Sequence, residues 1–198
     1  MRPPPAILVL AAGASRRMRG GDKLLETVDG APLVLRAARA ALGVAAEVMV
    51  ALPEGDRDRS AWLGDLAVRR LAVAERSMSA SIRAGVAACR SDALMIHLAD
   101  MPEIGAGELW QLSEAWRASD APILRAGAED GTPGHPAVFA RSLFPELLAL
   151  RGDRGARAVV ETHPCAVHPL PGRAALTDLD TPEDWARWRA TVRGAPKP

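Results

Sequence analysis

The chain has almost no lysine. Of its 25 basic residues only two, Lys23 and Lys197, are lysines, and Lys197 stands in the terminal stretch 193–198. Lysine is a compact point charge and arginine a planar fork. A lone lysine in an arginine-rich body therefore marks Lys23 as a candidate for a position where only the point charge works. Cysteine is as scarce: Cys89 and Cys165 lie in separate segments without CxxC spacing, and read as small packing residues rather than a disulfide or metal site. His97, His135, His163 and His168 come with no HExxH and no neighbouring cysteine pair, so zinc chemistry has no ligand set. No basic run exists and the formal net charge is +1; neither nucleic acid nor a membrane surface is an expected partner. No apolar run approaches the roughly 18 residues of a membrane span. The N-terminal MRPPP lacks a signal peptide's apolar region and cleavage site, which makes a cytoplasmic location the expectation.

What is present is an ordinary globular composition, 48% hydrophobic and 25% charged over 198 residues, enough for one domain with a substantial core. Residues 6–12 form a continuous apolar run of strand length, as expected of a strand buried on both faces. Further strands are expected at 47–52, 67–73, 93–98, 122–126, 135–139 and 165–170. Helices are expected at 32–42, 56–63, 79–90, 108–119, 142–150 and 155–162, with a last one capped by Thr181. This alternation predicts a single α/β, Rossmann-like domain over residues 1–192, with a mostly parallel sheet flanked by helices on both faces, and a flexible tail at 193–198. In such sheets ligands sit at the carboxyl ends of the strands. The loops to watch are therefore 13–23, 77–81, 99–102, 131–136 and 177–181.

The first of these loops belongs to LAAGASRRMRGGDKLL, residues 10–25. Small residues at Ala11, Ala12, Gly13 and Ala14 let backbone N–H groups approach a phosphate or a base, and Arg17 and Lys23 bring positive charge to a triphosphate. The stretch has no GxxxxGK[ST], no GxGxxG and no GxSxG, so it is neither a P-loop, nor a dinucleotide fingerprint, nor a nucleophile elbow. From these residues alone, a solvated turn and a phosphate site are equally good readings. Asp100 ends the strand 93–98 where such a sheet presents ligands, and Mg²⁺ typically takes one or two carboxylates with phosphate oxygens and water. Asp178 and Asp180 are two apart in an extended segment and point the same way. Thr181, Pro182, Glu183 and Asp184 after them read as a helix start. The five tryptophans all fall in helix-like segments and read as packing.

LAAGASRRMRGGDKLL resembles the signature of the MobA-like nucleotidyltransferases, and more narrowly that of their molybdenum cofactor cytidylyltransferase (MocA) branch. The resemblance continues through SASIRAG (79–85), LADMP (98–102), GTPGHP (131–136), GDRGAR (152–157) and TDLDTPEDW (177–185). Two positions depart from it: Arg19 and Ser77 stand where glycine is usual. The resemblance implies a fold of the nucleotide-diphospho-sugar transferase type. It also implies nucleotide binding by Leu10, Ala11, Ala12, Gly13, Arg17, Lys23, Ser81 and Asp100, and metal binding by Asp100 and Asp180. An acceptor loop around Gly134, His135 and Pro136 completes the set. Ala11-Ala12 points to CTP through the resemblance only, with molybdopterin as acceptor and a molybdoenzyme or its chaperone as a further partner.

A phosphate monoester has its second pKa near 6, so it is already a nucleophile at neutral pH and needs no general base. That agrees with a sequence lacking a His, Cys or Ser catalytic constellation. The expectation is that Mg²⁺ on Asp100 and Asp180 bridges the α-phosphate and the nucleophile, while Lys23 and Arg17 stabilise the departing pyrophosphate; Arg17, Lys23 and Asp100 are the catalytic candidates. Two alternatives remain at this point: transfer to a sugar or polyol phosphate, and a nucleotide-binding regulatory or chaperone protein without chemistry.

Overall fold

The computed structural model describes residues 1–194. β1 (Ala6–Leu10) leads through the loop 11–23 to a short hairpin, β2 (Thr27–Val28) and β3 (Ala31–Pro32), and then to α1 (Leu33–Leu42). β4 (Val48–Pro53), α2 (Asp58–Leu63), β5 (Arg69–Val73), α3 (Met78–Ala88) and β6 (Ala93–Leu98) follow. After α4 (Ala106–Ala118) come the paired strands β7 (Ile123–Gly127) and β8 (Pro133–Ala140). The helices α5 (Phe144–Leu148) and α6 (Arg157–Thr162), the strand β9 (Cys165–Pro169) and α7 (Pro182–Gly194) complete the described chain.

Seven strands form one sheet in the order β5-β4-β1-β6-β8-β7-β9. All pairings are parallel except those that β8 makes with β6 and β7. The expected mostly parallel α/β sheet is therefore present, with one strand reversed. Side chains alternate strictly. Ile7, Val9, Val48, Val50 and Met95 enter a core shared with α1 and α4, while Leu8, Met49, Leu94 and Ile96 enter a second core with α3 and α5. Both faces are buried, which is why these strands read as unbroken apolar runs. At Gly85 an added Cβ would overlap the Leu8 side chain, so the glycine lets α3 lie close on β1.

The chain runs outward from β1 through β4 to β5, then crosses back to place β6 on the other side of β1. That reversal opens a crevice beyond the carboxyl ends of β1 and β6, the position where open α/β sheets bind ligands. The loops 11–23 and 99–102 both leave from it.

Several boundaries differ from the expectation. β1 stops at Leu10, and Ala11-Ala12 belong to the loop. The expected helix 142–150 is a 3-10 turn, Arg141–Leu143, followed by only five α-helical residues, Phe144–Leu148, with Pro145 in the first turn. The β2–β3 hairpin was not expected: two-residue strands carry no periodicity. The first two residues of the expected tail, 193 and 194, are helical, and 195–198 lie outside the described residues.

His97 in β6 is wholly buried and neither ring nitrogen has a hydrogen-bond partner. Burial, helped by His135, pushes its pKa down to about 3. Below pH 6.5 the unfolded chain takes up a proton that the folded chain refuses, so stability falls with pH from 6.5 toward 3, by about 1.4 kcal/mol per pH unit. His97→Met should flatten this decline in urea denaturation followed from pH 7 to 4. Parallel profiles for the two proteins would show that His97 contributes nothing to it.

Candidate active site

Three segments meet over the crevice, and backbone hydrogen bonds bring them there. The Ala99 N–H donates to the Leu10 carbonyl at 3.3 Å, joining the ends of β1 and β6, and the Leu179 N–H donates to the Asp100 carbonyl at 3.1 Å. Leu179 itself is buried in the core. Anchored there, the segment 178–180 holds the Asp180 carboxylate over the end of β6. The start of α7 fixes the segment from the other side. Asp184 accepts from the Thr181 N–H at 2.9 Å, and Thr181 Oγ1 accepts from the Asp184 N–H at 3.1 Å, a reciprocal cap with Pro182 at the first helical position.

Lys23 reaches into this junction from the loop. Its Nζ donates to Asp100 Oδ2 and, at 2.6 Å, to Asp180 Oδ1. The lysine side chain is 13% exposed, and those of Asp100 and Asp180 are 14% and 17%. Burial of the ammonium lowers its pKa, but the two carboxylates outweigh this and hold it above the ordinary lysine value. Arg17, mostly exposed, closes the cluster with a 2.5 Å ion pair to the other oxygen of Asp180. Asp178 borders the same cleft; partial burial and the like charges of Asp100 and Asp180 hold its carboxyl above the usual range.

The residues fit a divalent cation. Asp100 Oδ1 is buried without a hydrogen-bond partner, and the carboxylate Oδ2 beside it shares a positive charge with Asp180. Among the described residues no group of three or more His, Cys, Asp or Glu side chains could hold an ion unaided. An ion on Asp100 and Asp180 would draw its remaining ligands from phosphate and water, as Mg²⁺ does.

The cleft around this cluster has a volume of about 370 Å³ and is lined by Leu10, Ala12, Gly13, Ser77 and Ser81 besides the charged groups. Of the nucleotide-binding candidates, only Ala11 faces elsewhere: its N–H donates to the Ala51 carbonyl and its own carbonyl accepts from Arg59. Ser77 caps α3 by accepting from the Ala80 N–H at 3.1 Å, and Ser81 Oγ donates back to the Ser77 carbonyl. Arg19 adopts a left-handed φ of 51°, a conformation for which glycine is the easy residue, which gives a physical reason for glycine being usual there.

A second cavity of about 550 Å³ adjoins the cleft, with Met78 and Asp153 common to both. Ile82, Ile96 and Phe139 line it together with Arg125, Arg154 and Arg157, and none of these was a sequence candidate. Of the expected acceptor residues only His135 lines this cavity. Burial, helped by Arg125 and opposed by Asp100, pushes its pKa down to about 4, so the ring is neutral at pH 7. Gly134 and Pro136 do not line it. Gly134 is pressed against the Ala175 backbone, where a Cβ would not fit, and its carbonyl accepts from Arg125 Nε at 3.0 Å. Sequence reasoning also missed Arg59, whose guanidinium is buried beneath the loop 11–22. A charged residue in a short helix gives no sign of burial when read from sequence.

Residues 7–167 match the family model of the MobA-like NTP transferase domain. The chain is 33% identical over 196 residues to a molybdenum cofactor guanylyltransferase of Cereibacter sphaeroides, spanning 94% of this chain and 96% of that one. It is 29% identical over 202 residues to the purine catabolism protein PucB of Bacillus subtilis (strain 168), spanning 93% and 96%. Among solved structures, Rv0371c of Mycobacterium tuberculosis H37Rv in complex with manganese matches with a TM-score of 0.78 and 23% identity over 93% of this chain and 97% of that one, a likeness of fold.

If the Lys23 ammonium holds the place of a cation between the carboxylates, removing it should open that place. Lys23→Met is expected to bind Mn²⁺ without nucleotide roughly tenfold tighter than the wild type, as read from free Mn²⁺ by electron paramagnetic resonance. Equal affinities would contradict the shared position.

Proposed function

We propose, because this chain belongs to the MobA-like NTP transferase family, that it transfers the nucleoside monophosphate of an NTP to the terminal phosphate of molybdopterin with Mg²⁺, releasing pyrophosphate. The nucleotidyltransferase class follows from the family; the metal, the base and the acceptor are the proposal. The observation that carries it is the Lys23 ammonium shared by Asp100 and Asp180 at the carboxyl ends of β1 and β6, inside a cleft that opens onto a second cavity.

In this reading the nucleotide lies along Leu10, Ala12, Gly13 and Ser81, and its triphosphate reaches Lys23 and Arg17. An oxygen of the acceptor phosphate attacks the α-phosphorus, the bond from that phosphorus to the bridging oxygen breaks, and the electron pair leaves on pyrophosphate. Asp100 and Asp180 would hold the Mg²⁺, which supplies positive charge to the phosphate oxygens when bound. Lys23 has one N–H beyond the two given to the carboxylates, and that donor can follow the charge onto the departing oxygens. Arg17, at the mouth, can turn from Asp180 to the outer phosphates. His135, neutral and partly buried, is not asked to move a proton, since the attacking phosphate is already ionised.

The 550 Å³ cavity supports the acceptor assignment. An apolar wall of Ile82, Ile96 and Phe139, with Arg125 and Arg154 beside it and Arg157 paired to Glu161, suits a flat heterocycle that carries an anionic group. CTP is the first reading of the base, from the resemblance at Ala11-Ala12. GTP is the second, favoured by the relative named molybdenum cofactor guanylyltransferase. Action in the cytoplasm, and delivery of the product to a molybdoenzyme or its chaperone, belong to the same proposal. No helix among the described residues is long and apolar enough to cross a membrane.

The test is transfer of α-³²P from CTP and, separately, from GTP to molybdopterin and to a panel of sugar and polyol phosphates. Label should pass to molybdopterin from one of the two nucleotides and only with Mg²⁺. Transfer to a sugar phosphate alone would overturn the acceptor, and no transfer to any acceptor would overturn the reaction. In the same assay Lys23→Ala should lower pyrophosphate release on the order of 10²–10³-fold. Near-normal turnover would remove Lys23 from the mechanism.

A further inference from the structure

We infer that Arg59 is the positioning residue of the nucleotide loop: a buried guanidinium that fixes the loop from below so that Lys23 and Gly13 face the cleft. The inference rests on the nucleotide-binding role proposed above for that loop.

Arg59 lies in α2, outside every motif of the sequence, yet it is only 4% exposed. Every hydrogen bond it makes goes to the loop that follows β1. Nε donates to Asp22 Oδ2 at 2.7 Å and Nη2 to Asp22 Oδ1 at 3.0 Å, a two-point grip on the carboxylate. Nη1 donates to the Ala11 carbonyl at 2.6 Å, and Nη2 also to the Gly13 carbonyl at 2.8 Å. One planar group thus ties the first turn of the loop, at 11 and 13, to its last residue before Lys23. A lysine cannot replace it, since an ammonium has neither the planar fork nor the number of directed donors.

The loop needs such a fixture. Ser15 and Arg19 both hold left-handed backbone, with φ of 49° and 51°, which residues with a Cβ keep only where their surroundings over-determine it. Asp22 passes the constraint onward: it accepts from the Leu24 N–H at 3.0 Å and from Ser15 Oγ at 3.1 Å, and Ser15 Oγ in turn accepts from the Lys23 N–H at 3.3 Å. The backbone of Lys23 is therefore set by a chain of contacts that begins at Arg59. Two carbonyls turned down onto the guanidinium also leave the opposite face of the turn to the ligand. At Gly13 an added Cβ would meet nothing within 4 Å, so that position opens on free space at the edge of the cleft.

A residue that only stabilises the fold and one that positions the loop differ in what they change. The test titrates wild type, Arg59→Ala, Arg59→Lys and Asp22→Asn with CTP and with GTP in Mg²⁺ by calorimetry. Hydrogen exchange is followed on the same samples. Positioning predicts that Kd for the nucleotide bound by the wild type rises roughly tenfold in all three variants. It also predicts that kcat/KM falls on the order of 10²-fold, with the acceptor KM unchanged. Amides of residues 11–23 should lose protection while those of β4 and β6 keep theirs. The Arg59→Ala/Asp22→Asn double variant should lose no more affinity than either single one. A lowered Tm with unchanged Kd in the folded protein would overturn the inference, because Arg59 would then serve stability alone. Should Arg59→Ala fail to fold, Arg59→Lys and Asp22→Asn decide by the same comparison. If the wild type binds neither nucleotide, the proposed function fails first and the inference falls with it.

Discussion

Two carboxylates held close together in a partly buried crevice repel each other, and the site depends on how that repulsion is met. Asp100 and Asp180 are brought together by backbone bonds and a buried leucine, not by attraction between their own side chains. The Lys23 ammonium compensates them, and Arg17 adds a second positive charge at the rim. Nothing in this arrangement is mainly for stability, since pairs of this kind roughly break even against their desolvation. In the proposed reading this set of negative oxygens and positive groups is matched to a polyanion that arrives with its own metal.

The fold serves this constraint directly. The reversal of strand order at β1 and β6 places two loops side by side at one end of the sheet, and α7 delivers a third across the top. Two cores, one on each face of the sheet, pack β1 and β6 on both sides. A parallel sheet of this type has its ligand crevice fixed by topology. Evolving a specific reaction then means changing loops. The adjoining cavity takes Ile96 from β6, but its walls come mainly from α3, β7, β8 and the segment 153–161 that includes α6.

Much of this could be read from the residues. The unbroken run at 6–12 and the ALMIHL segment point to the two central strands, because burial on both faces leaves His97 as the one polar position in either. Lys23 stood out by scarcity, and Asp100 by standing at the end of a buried strand. The pairing of Asp100 with Asp180, 80 positions apart, came only with the family resemblance, since no local pattern encodes a contact of that range. Arg59 and Arg125 give no sign for a different reason, and Arg154 and Arg157 stand inside GDRGAR without a role that the motif assigns. In a chain that uses arginine almost everywhere, composition cannot separate a buried fork from a solvated one. The apolar pattern also cannot show that β8 runs antiparallel, because a strand buried on both faces looks the same in either direction. The motif alone could not show that Gly134 is also the place where the Ala175 backbone approaches.

The proposed chemistry requires Asp100, Asp180 and Lys23 to surround one divalent ion and the phosphates of one nucleotide. A crystal of the chain grown with Mn²⁺ and a non-hydrolysable CTP or GTP analogue, measured at the manganese absorption edge, tests it most directly. An anomalous peak is expected between the Asp100 and Asp180 carboxylates, with Lys23 Nζ moved from them onto a phosphate oxygen. A peak elsewhere, or a nucleotide bound in another cleft while Lys23 still bridges both aspartates, would contradict it.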